Sequence, residues 1–218
     1  MKTFRTFSGP FALERREDRV PFLRSHFRRT VLAALRDLGD ARGIATALNN
    51  IAVIARADGD YAGATALCDE CVALRRDLGD KWGLTYALNT LGDIARDQGD
   101  YARANTLYEE SLVLIQQVRD HLSLAACLEG LAAVAVLQGQ PARAVKLYGA
   151  AATRRETNET PLPPADRADY DRLLCDARAA LGDRRFDEVW ALGRARTLDD
   201  AIAIAIAISA GVDGALSS

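Results

Sequence analysis

Residues 87–114 read ALNTLGDIARDQGDYARANTLYEESLVL. Shifted by 40 residues either way, this stretch superposes on ALNNIAVIARADGDYAGATALCDECVAL (47–74) and CLEGLAAVAVLQGQPARAVKLYGAAATR (127–154). Self-similarity at a fixed period in this range marks stacked repeats, in which each unit buries its apolar face against its neighbours. Gly59, Gly99 and Gly139 divide the units after one apolar-periodic run and before the next, where a helix end calls for a left-handed residue. Each unit is therefore helix, turn, helix. In the middle unit Leu84, Leu88, Leu91 and Ala95 recur at three- and four-residue steps, as do Ala104, Leu107, Tyr108, Ser111 and Leu114, so each helix has one buried stripe.

Small residues recur in register at Ala52, Gly92 and Ala132 and at Ala64, Ala104 and Ala144, where neighbouring helices must approach closely. Outside the repeats the chain divides into a basic segment over 1–30, a half repeat at 31–40, full repeats at 41–80, 81–120 and 121–160, capping helices over 161–209 and a tail at 210–218. The first 30 residues carry eight Lys or Arg against three acids, and a divergent capping helix is expected over about 21–38. Pro161, Pro163 and Pro164 end the last repeat and open a helix with Tyr170, Leu173, Leu174, Ala177 and Leu181; a further helix carries Phe186 and Trp190. Thr197 followed by Asp200 reads as a helix start for the apolar run AIAIAIAI (201–208). Apolar all round, the helix at 198–209 is a candidate for self-association.

Of the 218 residues, 49% are hydrophobic and 27% charged, the make-up of a chain that buries a sizeable core. A net charge of −2 provides no excess positive field for a phosphate backbone, so direct nucleic-acid binding is not expected. No run of about 18 apolar residues suggests a membrane span, and the N-terminus lacks a secretory apolar core; the expected compartment is the cytoplasm. Cys68 and Cys71 form a CxxC but align with Tyr108 and Ser111, which are packing positions, and no second pair completes a metal site. His26 and His121 are far apart in sequence, leaving no general base with a partner, so neither a cofactor nor catalysis is expected.

The spacing of Leu88, Leu91, Gly92, Ala104, Tyr108 and Ser111 resembles that of the tetratricopeptide repeat, with a period of 40 in place of the usual 34. That resemblance implies an all-α fold, a right-handed α-α superhelix of stacked antiparallel helix pairs, and a job of holding a protein or peptide. The 40-residue variant, with the closing segment PLPPADRADYDRLLCDARAALGDRRFDEVWALGRARTLDDAIAIA (161–205), resembles the C-terminal repeats of bacterial signal-transduction ATPases and of LuxR- or AfsR-like transcription regulators. In that family the repeats bind partners while other domains hydrolyse nucleotide and bind DNA. No GxxxxGK[ST] loop occurs here, so those activities do not carry over, and the chain reads as a detached sensor, a shortened paralogue or a fragment of a longer regulator.

By the same resemblance the non-core side of the first helices lines a concave groove. Asn49 and Asn89 recur there in register, as do Arg56 and Arg96, with Asp93 one turn after Asn89. Asn can bond a peptide backbone in both senses and Arg can clamp a carboxylate or phosphate. Against that, Arg56 and Arg96 have acids close by in sequence, Asp58, Asp93 and Asp97, with which they can simply pair. The third repeat has Glu129 and Val136 at the equivalent positions, so the polar lining is expected to fade toward the C-terminus. Two functions fit: a non-catalytic scaffold binding a protein or peptide in a bacterial signalling or transcription-regulatory system, or a module sensing a ligand or peptide for a larger ATPase or regulator.

Overall fold

A computed structural model describes residues 30–195. The basic segment before residue 30 and the apolar run at 198–209 lie outside the described residues, and with them the capping and self-association expectations for those stretches. A first helix, α1, is described over 30–37. It is followed by α2 (Ala41–Ala57), α3 (Tyr61–Asp77), α4 (Lys81–Asp97), α5 (Tyr101–Val118), α6 (His121–Leu137), α7 (Pro141–Thr157), α8 (Pro164–Leu181) and α9 (Asp183–Arg194). No strand occurs among the described residues.

The helix boundaries follow from a Gly-Asp pair that recurs every 20 residues, at 39–40, 59–60, 79–80 and 99–100. The glycine supplies the left-handed residue that ends one helix: φ is +80° at Gly59 and Gly99. The aspartate caps the next. Oδ1 of Asp40, Asp60 and Asp80 each accepts a backbone N–H three residues on at 2.9 Å, and Asp100 does so at 3.1 Å. Such a cap is worth about 1 kcal/mol. Asp120 caps α6 through the N–H of Ser123 at 3.3 Å, but the residue before it is Arg119, which adopts φ 53° without being a glycine.

These turns fold α2 on α3, α4 on α5 and α6 on α7 as antiparallel pairs, and the pairs stack. The first helices touch one another, α2 to α4 and α4 to α6, whereas the second helices make few contacts of that kind. The first helices therefore lie on the inside of the curve. The molecule is an all-α solenoid of the expected type.

Tyr108 shows how the small residues set the spacing. Fully buried, its ring lies on Gly92 of its own repeat and Gly130 of the next; a Cβ on Gly92 would come within 2.7 Å of Cε1. Cys68, Cys71 and Cys127 are buried free thiols. The thiol of Cys71 donates to the Ala45 carbonyl at 3.1 Å, that of Cys127 to the Tyr108 carbonyl at 3.3 Å, and burial pushes Cys68 up to about 12. Core packing thus occupies both cysteines of the CxxC.

The C-terminal end breaks the pattern. In place of a fourth tight pair, α9 leaves α8 and packs along α7, where Gly149 and Gly193 let the two backbones meet. Released from α9, α8 leans over the concave side and buries only Leu173 and Ala177 well.

Candidate functional site

The inner face of α4 is one stripe. Trp82, Tyr86, Asn89, Asp93 and Arg96 fall within about 80° of one another on a helix of about 100° per residue. Leu84, Leu88, Leu91 and Ala95 point the other way, into the core. Beyond Asn89 this stripe becomes the floor of an open cleft of about 460 Å³. Arg56 of α2, Asp93, Arg96 and Asp97 of α4, Ala126, Glu129 and Ala133 of α6, Arg155 of α7, and Asp166, Asp169 and Tyr170 of α8 line it.

Its arginines are already engaged. Arg56 Nε donates to Asp97 Oδ2 at 2.6 Å, with a second nitrogen 3.5 Å from Asp93. Arg96 bonds Asp97 at 2.8 Å, reaches Asp93 at 3.4 Å and lies 3.9 Å from Asp169 of α8. Burial works against both charges, but Asp93 and Asp97 outweigh it and hold both guanidinium pKa values above the usual arginine range. Arg155 grips Glu129 with two parallel bonds of 2.5 and 2.6 Å. Its third nitrogen donates at 3.4 Å to the carbonyls of Thr160 and Pro161, tying down the segment that leads into α8. Burial raises the carboxyl pKa of Glu129, and Arg155 offsets only part of that. Asp166 has no ion-pair partner among the described residues; burial, and then Asp93, raise its pKa.

The tetratricopeptide repeat family model matches residues 43–112 and again 83–157, together more than half of the chain. The chain belongs to the tetratricopeptide repeat family. A search of curated proteins finds no match. The matched tetratricopeptide units end with α7, so the floor and one wall of the cleft are repeat surface, whereas Asp166, Asp169 and Tyr170 come from the helix that follows. Repeats of this kind make protein-interaction scaffolds.

Of the residues singled out by register, Arg56, Asp93 and Arg96 meet on the cleft floor, and Asn49 and Asn89 do not. Asn89 is 9% exposed, and its Nδ2 donates to the Ser123 carbonyl at 3.3 Å, bridging α4 to α6. Asn49 is half-buried on α2. The polar lining does not fade in the third repeat, because Glu129 remains in it and draws in Arg155. Sequence reasoning passed over Arg155, Asp166, Asp169 and Tyr170. The signal for Arg155 was a cation on α7 within reach of an acid at the asparagine position; nothing local to α8 told that it would cross the concave face.

Proposed function

We propose that this tetratricopeptide repeat protein is a non-catalytic scaffold that holds a segment of another protein in its concave cleft, within a bacterial signalling or transcription-regulatory system. The observation that supports this reading is a cleft of about 460 Å³ on the inner face, large enough for several side chains and lined by residues of six helices. The system named is supported by the resemblance of the 40-residue units and closing segment to bacterial regulators.

Ala126 offers a clean test, because it lines the cleft and is exposed. Ala126→Trp fills the cleft without cutting an ion pair. Affinity capture from a native extract should retain a partner on the intact chain and lose it on this variant at unchanged melting temperature. Equal retention would place binding elsewhere.

A second reading, a sensing module of a larger ATPase or regulator, draws support from α8. This helix crosses the cleft while burying little of itself, so an effector beneath it could alter its seat. A thermal-shift screen in which no small molecule or short peptide raises the melting temperature would count against it, since a ligand specific for the native state must stabilise it.

A further inference from the structure

We propose that the segment held in the cleft carries a lysine or arginine that enters beside Asp166, and an apolar or aromatic residue about five positions away that packs on Trp82 and Tyr86. This rests on the scaffold reading above and adds the chemistry of the partner.

Charge decides the first half. Three arginines in the cleft face five carboxylates, Asp93, Asp97, Glu129, Asp166 and Asp169, of which Asp169 is also paired with Arg172 of α8 at 2.5 Å, leaving Asp166 as the uncompensated one. The arginines are committed: Arg155 to Glu129 in bidentate fashion, Arg56 and Arg96 to the aspartates of α4 at 2.6 and 2.8 Å. An incoming carboxylate would have to displace one of those bonds and would meet Asp166 unpaired. A cation displaces nothing and gives Asp166 a partner. Ala126, Ala133 and Tyr170 add apolar wall against which a long cationic side chain can lay its aliphatic stem.

The second half comes from the other end of the same stripe. Trp82 is 54% exposed, an unusual state for a tryptophan, and its ring lies 4.7 Å from that of Tyr86. Both sit on the face of α4 that leads into the cleft. From Trp82 to Asp93, which lines the cleft with Asp166 and whose charge acts on it, the helix rises roughly 16 Å. An extended chain covers that in about five residues at roughly 3.3 Å each.

A phage-displayed library of random dodecapeptides, panned on the intact chain, reads the preference directly. Enriched peptides should carry Lys or Arg and, about five residues away, an aromatic or large apolar residue. Synthetic copies, followed by fluorescence anisotropy, should bind roughly fivefold or more weakly to Asp166→Asn and to Trp82→Ala, and more weakly at high salt. Trp82 is exposed and Asp166 is only partly buried in the open cleft, and circular dichroism melts of the variants would show that each remains folded. Enriched peptides that are acidic or uncharged but are still displaced by Ala126→Trp would overturn this inference and leave the scaffold reading intact. Cationic peptides indifferent to Asp166→Asn would also overturn it. No enrichment at all would count against both.

Discussion

The hydroxyl of Tyr108 donates to Oδ1 of Asp93 at 2.6 Å, joining the most deeply buried aromatic ring of the middle repeat to the floor of the cleft. One residue thereby spaces α4 from α6 and fixes the carboxylate that Arg56 and Arg96 approach. Burial, and then Asp93, hold the phenol well above its ordinary pKa, so it stays a donor.

Removing that hydroxyl should be felt in stability. Tyr108→Phe keeps the ring on Gly92 and Gly130 and loses only the bond, which should cost about 1 kcal/mol by urea denaturation. A neutral result would mean that Asp93 finds an equally good donor in its arginines.

Arg119 is an interhelical turn position between two repeats that pays for its conformation. In the turns at 39, 59, 79, 99 and 139 glycine takes the left-handed position, but Arg119, like Glu159 after α7, takes it at φ 53° and with its side chain exposed. Left-handed backbone costs a non-glycine residue about 1 kcal/mol. Arg119→Gly should therefore raise stability by about that amount, read as a higher urea midpoint at unchanged slope; a lower midpoint would show that the side chain holds the turn in a way its exposure conceals.

At the crossing of α7 and α9, a Cβ on Gly149 would lie 2.7 Å from the Trp190 carbonyl oxygen, and one on Gly193 would run into the Lys146 carbonyl. Backbone cannot yield as a side-chain tip can. Gly193→Ala should push α9 off α7, at a cost of about 1–3 kcal/mol. Faster amide hydrogen exchange confined to α9, together with a red shift in the emission of Trp190, would report it. Unchanged exchange would mean that the helices slide past each other without loss.

Asp166 supplies a pH test. Its carboxyl is held above the ordinary 3.8, first by burial and then by Asp93, against the pull of Arg56, Arg96 and Arg155. A carboxyl whose pKa is higher folded than unfolded opposes folding where it is charged in both states, and ceases to do so as pH falls through its folded value. Asp166→Asn should thus stabilise the chain at pH 7, with the gain vanishing as pH approaches 3.8. Lost stability at pH 7 would instead show that the first turn of α8 values the negative charge more than the cleft disfavours it.

The helices and turns were legible in the sequence because their causes are local. Glycine at a left-handed position and aspartate as a cap act within a few residues, and their 20-residue recurrence marks the boundaries from α1 through α5. The core stripes were legible for the same reason: a helix turns by a fixed angle, so Leu88, Leu91 and Tyr108 announce their faces. The 40-residue register also put Arg56, Asp93 and Arg96 on one side of their helices, and they meet in the cleft.

Register alone could not say how closely the helices approach. Asn89 lies on the same stripe as Asp93, yet α6 comes near enough to bury it against Ser123. Nor could it say which charges are already satisfied, since the pairing of Arg56 with Asp97 spans 41 residues and that of Arg155 with Glu129 spans 26. The path of α8 was decided farthest from its own residues. Contact between Gly149 and Gly193 takes α9 to α7, which leaves α8 to lean across the groove and bring Asp166 to the cleft. The sequence by itself determined the repeat, its turns and its buried faces, which depend on neighbours along the chain. Tertiary structure decided the shape and charge of the cleft, which depend on distances between helices far apart in sequence.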